Sequence, residues 1–164
     1  RLVGSEMCIR DRRYYNMVVG TNSRLDELQA GLLRVRLQHL SELQEERVRI
    51  CNRYLNGIEN DKLVKPEVNK NGTTVWHQFV IRCKTRDDFK RYLEECEIGS
   101  IIHYPIPPHL SEAYQYLGYK VGDYPITEKY AKEVLSLPLY NGMTEEEIDY
   151  VIQMINQYKR EEEP

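Results

Sequence analysis

One run constrains the fold more than any other part of the chain. From Asn22 to about Ile58, apolar side chains recur on a helical period. Leu25, Leu28, Leu32, Val35 (or Leu33) and Leu37 fall at i, i+3, i+4 and i+7 spacing, and Leu40, Leu43, Arg47, Ile50, Tyr54 and Leu55 carry the stripe on. Such a period puts the apolar groups on one face of a helix. The run is long for one globular helix, so a break is expected near His39–Glu42, with Ser41 capping the second piece and Gln44 at the capping-box position. Gly57 is expected to end it. The stripe is long relative to what this chain offers to cover it.

The remainder supplies little sheet to pack against that helix. Residues 59–74 read as a polar loop holding one short extended stretch, and Val75–Cys83 reads as a strand. Thr85–Glu95 reads as a helix capped by Thr85, with Phe89, Tyr92 and Leu93 on one face. Ile98–Ile102 is a second short strand, followed by a proline-rich loop over 103–110. Ser111–Leu117 and Ile126–Leu135 read as helical, and Gly118–Tyr124 as the loop between them. Pro138 keeps Leu137 out of the helical region, so 136–139 is extended. Thr144 caps a last helix with Glu147 at N3, and its stripe is Ile148, Val151, Ile152 and Ile155. Two strands do not make a self-sufficient sheet. Further strands are therefore expected in 59–74 and 136–140, or the sheet is completed by something outside the chain.

Composition narrows the class. The chain has 164 residues, the size of one domain and short of an enzyme that needs two. Its net charge of −3 argues against nucleic-acid binding, and no apolar run reaches the length of a membrane span. Cys8, Cys51, Cys83 and Cys96 have no metal-ligand spacing and no signal peptide precedes them, so free thiols in a reducing cytoplasm are expected and no metal site. Thirteen tyrosines are scattered without a basic stripe, and most read as half-buried packing. His39 and His77 read as lone structural histidines. Residues 1–12 carry neither a helical nor a strand period and resemble translated sequencing-adapter read-through, so they are set outside the fold.

Two stretches carry chemistry. In the first, Gly20-Thr21-Asn22-Ser23-Arg24-Leu25-Asp26, a loop enters the long helix, with Ser23 as cap and Asp26 at N3. It fits a well-capped helix, and it also fits an anion site, where free N–H groups, the helix dipole and the Arg24 guanidinium meet a phosphate. The second, His103-Tyr104-Pro105, opens a stiff loop directly after an apolar strand. It fits a strand end with structural aromatics. It equally fits a binding edge, since an imidazole and a phenol can hydrogen-bond a phosphate or a sugar hydroxyl.

These two stretches resemble the DegT/DnrJ/StrS family of sugar aminotransferases. They do so in this order, together with Trp76-His77-Gln78-Phe79-Val80-Ile81, Ala113-Tyr114, Leu135-Ser136-Leu137-Pro138-Leu139-Tyr140 and Met143-Thr144-Glu145-Glu146-Glu147-Ile148. The resemblance runs from about Tyr14 to Tyr158. It implies an α/β fold, specifically the C-terminal part of a type I pyridoxal-phosphate enzyme: long helices plus a small α+β domain whose sheet is flanked by helices. It implies a homodimer that transfers an amino group, from glutamate, to a keto group of a nucleotide-linked deoxysugar. It assigns Asn22 to the pyridoxal 5'-phosphate phosphate across the dimer, and Arg24, His103 and Tyr104 to the substrate.

The same resemblance sets limits. The family's Schiff-base lysine lies upstream of anything here, and none of the nine lysines sits in its motif, so this chain supplies no catalytic residue and is expected to be inactive alone. Gly31 replaces an alanine of the family pattern, either at a cost of up to about 1 kcal/mol in a helix interior or to allow a close approach. The expected organisation is a non-native 1–12, a helical link over 13–58, a small domain over 59–160 and a tail at 161–164. The segments after His103 look most like members acting on dTDP-linked 3-keto-6-deoxyhexoses, with UDP-linked and 4-keto substrates as alternatives. A non-catalytic, helix-rich interaction module and a PLP-binding regulator of the same fold are the competing readings.

Overall fold

The computed structural model describes residues 25–69 and 71–159. The expected site residues Asn22 and Arg24, the cap Ser23, Cys8 and the 1–12 segment lie outside them. The helical run is two helices, α1 (Glu27–Gln38) and α2 (Leu40–Gly57). The break falls at His39, whose backbone N–H bonds back to the carbonyls of Arg36 and Leu37. Asp26 is itself the N-cap of α1, accepting from Gln29 N at 2.8 Å, instead of standing at N3 behind Ser23. Likewise Ser41 lies inside α2, which starts at Leu40, so it does not cap.

The rest follows as β1 (Leu63–Val64), β2 (Phe79–Cys83), α3 (Arg86–Glu95), two 3-10 turns (Pro108–Leu110 and Glu112–Leu117), α4 (Pro125–Glu133), β3 (Val134–Leu137) and α5 (Glu145–Gln157). Both hidden strands exist. The sheet is antiparallel in the order β1-β2-β3, with Leu63 opposite Cys83 and Val80 opposite Ser136. The expected strand Ile98–Ile102 reduces to one bridge, Ile101 to Ser136. The strand expected from Val75 starts only at Phe79, because Trp76 has a left-handed backbone (φ 48°) that no strand tolerates.

The chain forms two compact units. Of the described residues, one contains 25–39 together with Tyr104–Lys132; the other contains Leu40–His103 and residues 133–159. In the second, β2 alternates Phe79, Ile81 and Cys83 inward. They meet Ile50, Cys51 and Tyr54 of α2, Phe89 and Leu93 of α3, Leu135 of β3, and Ile148, Val151 and Ile155 of α5. Tyr54 sets its ring edge against Phe79 (5.2 Å between centroids), and its hydroxyl donates to the Pro138 carbonyl at 3.0 Å. Burying a large apolar side chain is worth roughly 1.5–3 kcal/mol, so this cluster is the main source of stability.

Helix ends are closed by side chains. Thr144 and Glu147 form the expected capping box of α5. Thr85 holds the N-cap position of α3, but its hydroxyl is turned to the Tyr158 phenol (3.2 Å) and does not cap. Helix α3 ends in a Schellman motif, with Ile98 N–H to Leu93 O (2.8 Å) and Glu97 N–H to Glu94 O (3.0 Å). Glu97 takes the left-handed position (φ 59°) where glycine is usual. Gly57 is the last residue of α2, and packing leaves no room for a side chain on it: a Cβ there would lie 2.9 Å from Ile152 Cδ1. At the same end Asn156 donates to Gly57 O (2.8 Å), Asn60 donates to Ile155 O (2.8 Å), and Lys65 Nζ donates to Leu55 O and Ile58 O.

In the first unit, α1 buries none of its residues. Leu28 is 77% and Leu32 65% exposed, so the stripe read from the sequence stands in solvent. Among the described residues, nothing lies within 4 Å of a Cβ position at Gly31, so no approach by these residues requires a glycine there. Most of the described tyrosines are half-buried, as expected: Tyr119, Tyr124, Tyr130, Tyr140 and Tyr150 are 43–46% exposed, whereas Tyr104 and Tyr116 are more exposed and Tyr54 and Tyr158 are buried.

A polar knot holds the strained Trp76. Arg47 donates to the carbonyls of Trp76 (3.3 Å) and His77 (3.2 Å) and to Asn141 Oδ1 (3.2 Å). Asn141 donates on to Glu46 Oε2 and Leu43 O, both at 2.8 Å. Gly142 turns through φ 92°, which presents its N–H to Glu46 Oε1 at 2.8 Å. The Asn141 and Gly142 donors hold the Glu46 carboxyl below the ordinary value of 4.5. A lowered folded-state pKa gives stability that is present above the unfolded value and lost as pH falls through the folded one. Glu46→Gln is therefore expected to lower the urea midpoint at pH 7 and to flatten its decline below about pH 4.5; equal declines in both proteins would refute this.

Candidate functional site

The structure describes two of the four expected site residues. His103 follows the Ile101 bridge and is half-buried in the second unit. Its Nδ1 lies 2.9 Å from Ser136 Oγ. Ser136 is 5% exposed and sits in β3, where its N–H donates to Ile101 O (2.8 Å) and its carbonyl accepts from Ile101 N (3.2 Å). The histidine is therefore anchored to the interior of the sheet through a serine whose role no local sequence pattern reveals. Tyr104 begins its stretch of the first unit and is 59% exposed.

The proline loop continues into a second arrangement, all within the first unit. His109 Nε2 lies 3.2 Å from Glu128 Oε1. The same carboxylate accepts from Gly122 N (2.8 and 3.0 Å) and from Tyr124 N (3.3 Å). The Gly122 donor is the largest reason that the Glu128 carboxyl is held below its ordinary value, and His109 adds to it. His109 also sets its ring edge-on to Tyr124 at 4.9 Å, and Tyr124 meets Tyr119 at 5.4 Å. Pro108, His109, Tyr114, Tyr119, Tyr124 and Thr127 line a cavity of about 330 Å³. Glu128 thus ties the 118–124 loop to the start of α4. Sequence reading missed it; an acidic residue in the first turn of a helix that opens with proline was the available signal.

Burial pushes the Cys51 thiol up to about 12, so it is not a thiolate near neutrality. Cys51, Cys83 and Cys96 are free, as expected. Among the described residues, no group of histidine, cysteine and carboxylate side chains can hold a metal ion, and no helix is long and apolar enough to cross a membrane. His39 and His77 are exposed. No lysine lines the described cavity.

Known proteins match this chain over most of its length. A model of the DegT/DnrJ/EryC1/StrS aminotransferase family matches residues 1–156. A relative named dTDP-3-amino-3,6-dideoxy-alpha-D-galactopyranose transaminase, from Aneurinibacillus thermoaerophilus, is 41% identical over 147 residues, which is 90% of this chain and 40% of that protein. The erythromycin biosynthesis sensory transduction protein EryC1 of Saccharopolyspora erythraea is 41% identical over 142 residues, 86% of this chain and 39% of that protein. Among solved structures, S. venezuelae DesV in complex with a ketimine intermediate superposes with a TM-score of 0.79 at 34% identity, covering 90% of this chain and 40% of that one. The chain spans about two fifths of the length of these proteins.

The loop geometry predicts a measurable coupling. Glu128→Ala removes the acceptor of the Gly122 and Tyr124 amides. Their hydrogen exchange is expected to speed up at least tenfold, while amides of β2 exchange as before; unchanged Gly122 exchange would contradict the tie.

Proposed function

The chain belongs to the DegT/DnrJ/EryC1/StrS aminotransferase family, and on that premise we propose that it is the C-terminal portion of a pyridoxal-phosphate aminotransferase acting on a nucleotide-linked deoxysugar. The amino group comes from glutamate and goes to a 3-keto group of a dTDP-linked hexose. The observation that carries this reading is the 41% identity, over 90% of the chain, to a relative named as a dTDP-amino-sugar transaminase.

His103 and Tyr104 then face the sugar nucleotide. The anchoring of His103 on a buried strand supports this, because a donor that must meet one oxygen is useful only if its ring is held. The 59% exposure of Tyr104 supports it too. Arg24 contributes a guanidinium to the same substrate, and Asn22 a donor to the cofactor phosphate in the neighbouring protomer of a homodimer.

Pyridoxal phosphate, when bound, supplies the electron sink for moving the amino group. The cavity lined by Tyr114, Tyr119 and Tyr124 is mainly aromatic and apolar and has no lysine in its lining, so it is not read as the cofactor's seat. This chain's part is therefore read as substrate recognition, with the Schiff-base lysine supplied by the region upstream in the family. The free thiols of Cys51, Cys83 and Cys96 support a reducing, cytoplasmic setting.

A second reading, a regulator of the same fold, draws on the relative named as a sensory transduction protein. One experiment separates the two. The chain alone, treated with pyridoxal phosphate and borohydride, is expected to carry no lysine labelled at a single site. Fused behind the upstream region of the Aneurinibacillus relative, it is expected to aminate a dTDP-3-keto-6-deoxyhexose with glutamate, and His103→Ala is expected to raise KM about tenfold or more, the loss of one charge-assisted hydrogen bond. A folded, cofactor-loaded fusion without turnover would favour the regulator.

A further inference from the structure

We propose that the Ser136 hydroxyl donates its proton to Nδ1 of His103 and so fixes the imidazole as its Nε2–H tautomer. This makes Ser136 a positioning residue for a histidine that presents an N–H to the substrate; the substrate part rests on the proposed function of His103.

The direction of the bond follows from what surrounds the hydroxyl. Ser136 is 5% exposed. Its backbone groups are both used by Ile101, with N–H to O at 2.8 Å and O to N–H at 3.2 Å. Among the described residues, the hydroxyl has one hydrogen-bond partner, His103 Nδ1 at 2.9 Å. If Nδ1 carried the ring proton and donated, the hydroxyl proton would be left buried without an acceptor. A buried donor without a partner is the costlier omission, whereas an unfilled oxygen lone pair is commonly tolerated. The hydroxyl therefore donates, Nδ1 accepts, and the neutral ring carries its proton on Nε2.

Position reinforces the choice. Ser136 has β2 on one side, opposite Val80, and the Ile101 bridge on the other. Its Cα is held by pairing on both edges, and the residues beside it, Leu135 and Leu137, are buried in the core. The serine is a fixed post, so the hydrogen bond sets the ring plane as well as the tautomer. An imidazole with Nε2–H offers a donor to a phosphate or hydroxyl oxygen at neutral pH without having to be protonated. The chemical class this favours is an oxygen-rich, anionic ligand such as a nucleoside diphosphate sugar.

The test reads the ring directly. The 164-residue chain, labelled with 15N-histidine, gives long-range 1H–15N spectra that distinguish a protonated from an unprotonated ring nitrogen. At a pH where the ring is neutral, His103 is expected to show Nε2–H with an unprotonated Nδ1. In Ser136→Ala the Nε2–H to Nδ1–H ratio is expected to fall about fivefold, the worth of one ordinary hydrogen bond. Ser136→Thr, which keeps the hydroxyl, is expected to restore it. An Nδ1–H tautomer in the unaltered chain overturns the proposal whether or not the variants fold. An unchanged ratio in a folded Ser136→Ala overturns it equally. If the tautomer behaves as expected but His103→Ala leaves amination by the fusion protein undiminished, the substrate reading of His103 falls, while the hydrogen-bond assignment stands on the spectrum.

Discussion

Strand β3 is the constraint on which the second unit depends. It has only four residues, yet three of them are buried and it is paired on both edges, to β2 over Phe79–Arg82 and to Ile101 through Ser136. A two-stranded sheet is marginal in water, and it is the third strand and the packed helices that make it stable. Leu135 faces Ile81 and Leu137 faces Phe79 across the ladder, and both pairs lie in the core built by α2, α3 and α5. Directly after it, the Pro138 carbonyl takes the hydroxyl of Tyr54. The strand that completes the sheet is thus also the one that ties α2 to the core and holds His103 by its serine.

Around this strand, the polar groups do specific structural jobs. Arg47 is not a surface charge. It satisfies two carbonyls of a segment bent into a left-handed residue, at Trp76, that costs of order 1–3 kcal/mol to hold. Glu46 and Asn141 complete that knot from the other side. By contrast, the pairs of Arg49 and Arg53 with Glu145 and Asp149 are exposed, and contribute little beyond helix register. Burial, not charge, decides which of these ties matter.

Where local signals exist, the sequence was legible. The helical period located α1, α2 and α5, the break fell at His39, and the Thr144–Glu147 box opened α5 as spacing required. The sheet's shortfall pointed correctly to strands hidden near 63 and 136. What failed depended on tertiary context. Trp76 reads as a strand residue until Arg47, 29 positions away, captures its carbonyl. Thr85 reads as a cap until Tyr158 takes its hydroxyl. Motif order nominated His103 and Tyr104 as candidates, but no local pattern couples His103 to Ser136, 33 residues on. Nor could period alone say that the stripe of α1 stands exposed; it says only that a face is apolar.

A crystal structure of the fusion protein with a dTDP-linked amino sugar tests the central claim, that this chain carries the substrate-facing side of a sugar aminotransferase. The account predicts His103 Nε2 within about 3.2 Å of a ligand oxygen, with Nδ1 still on Ser136. A ligand bound with His103 and Tyr104 turned away from it, beyond hydrogen-bond reach, would contradict the account.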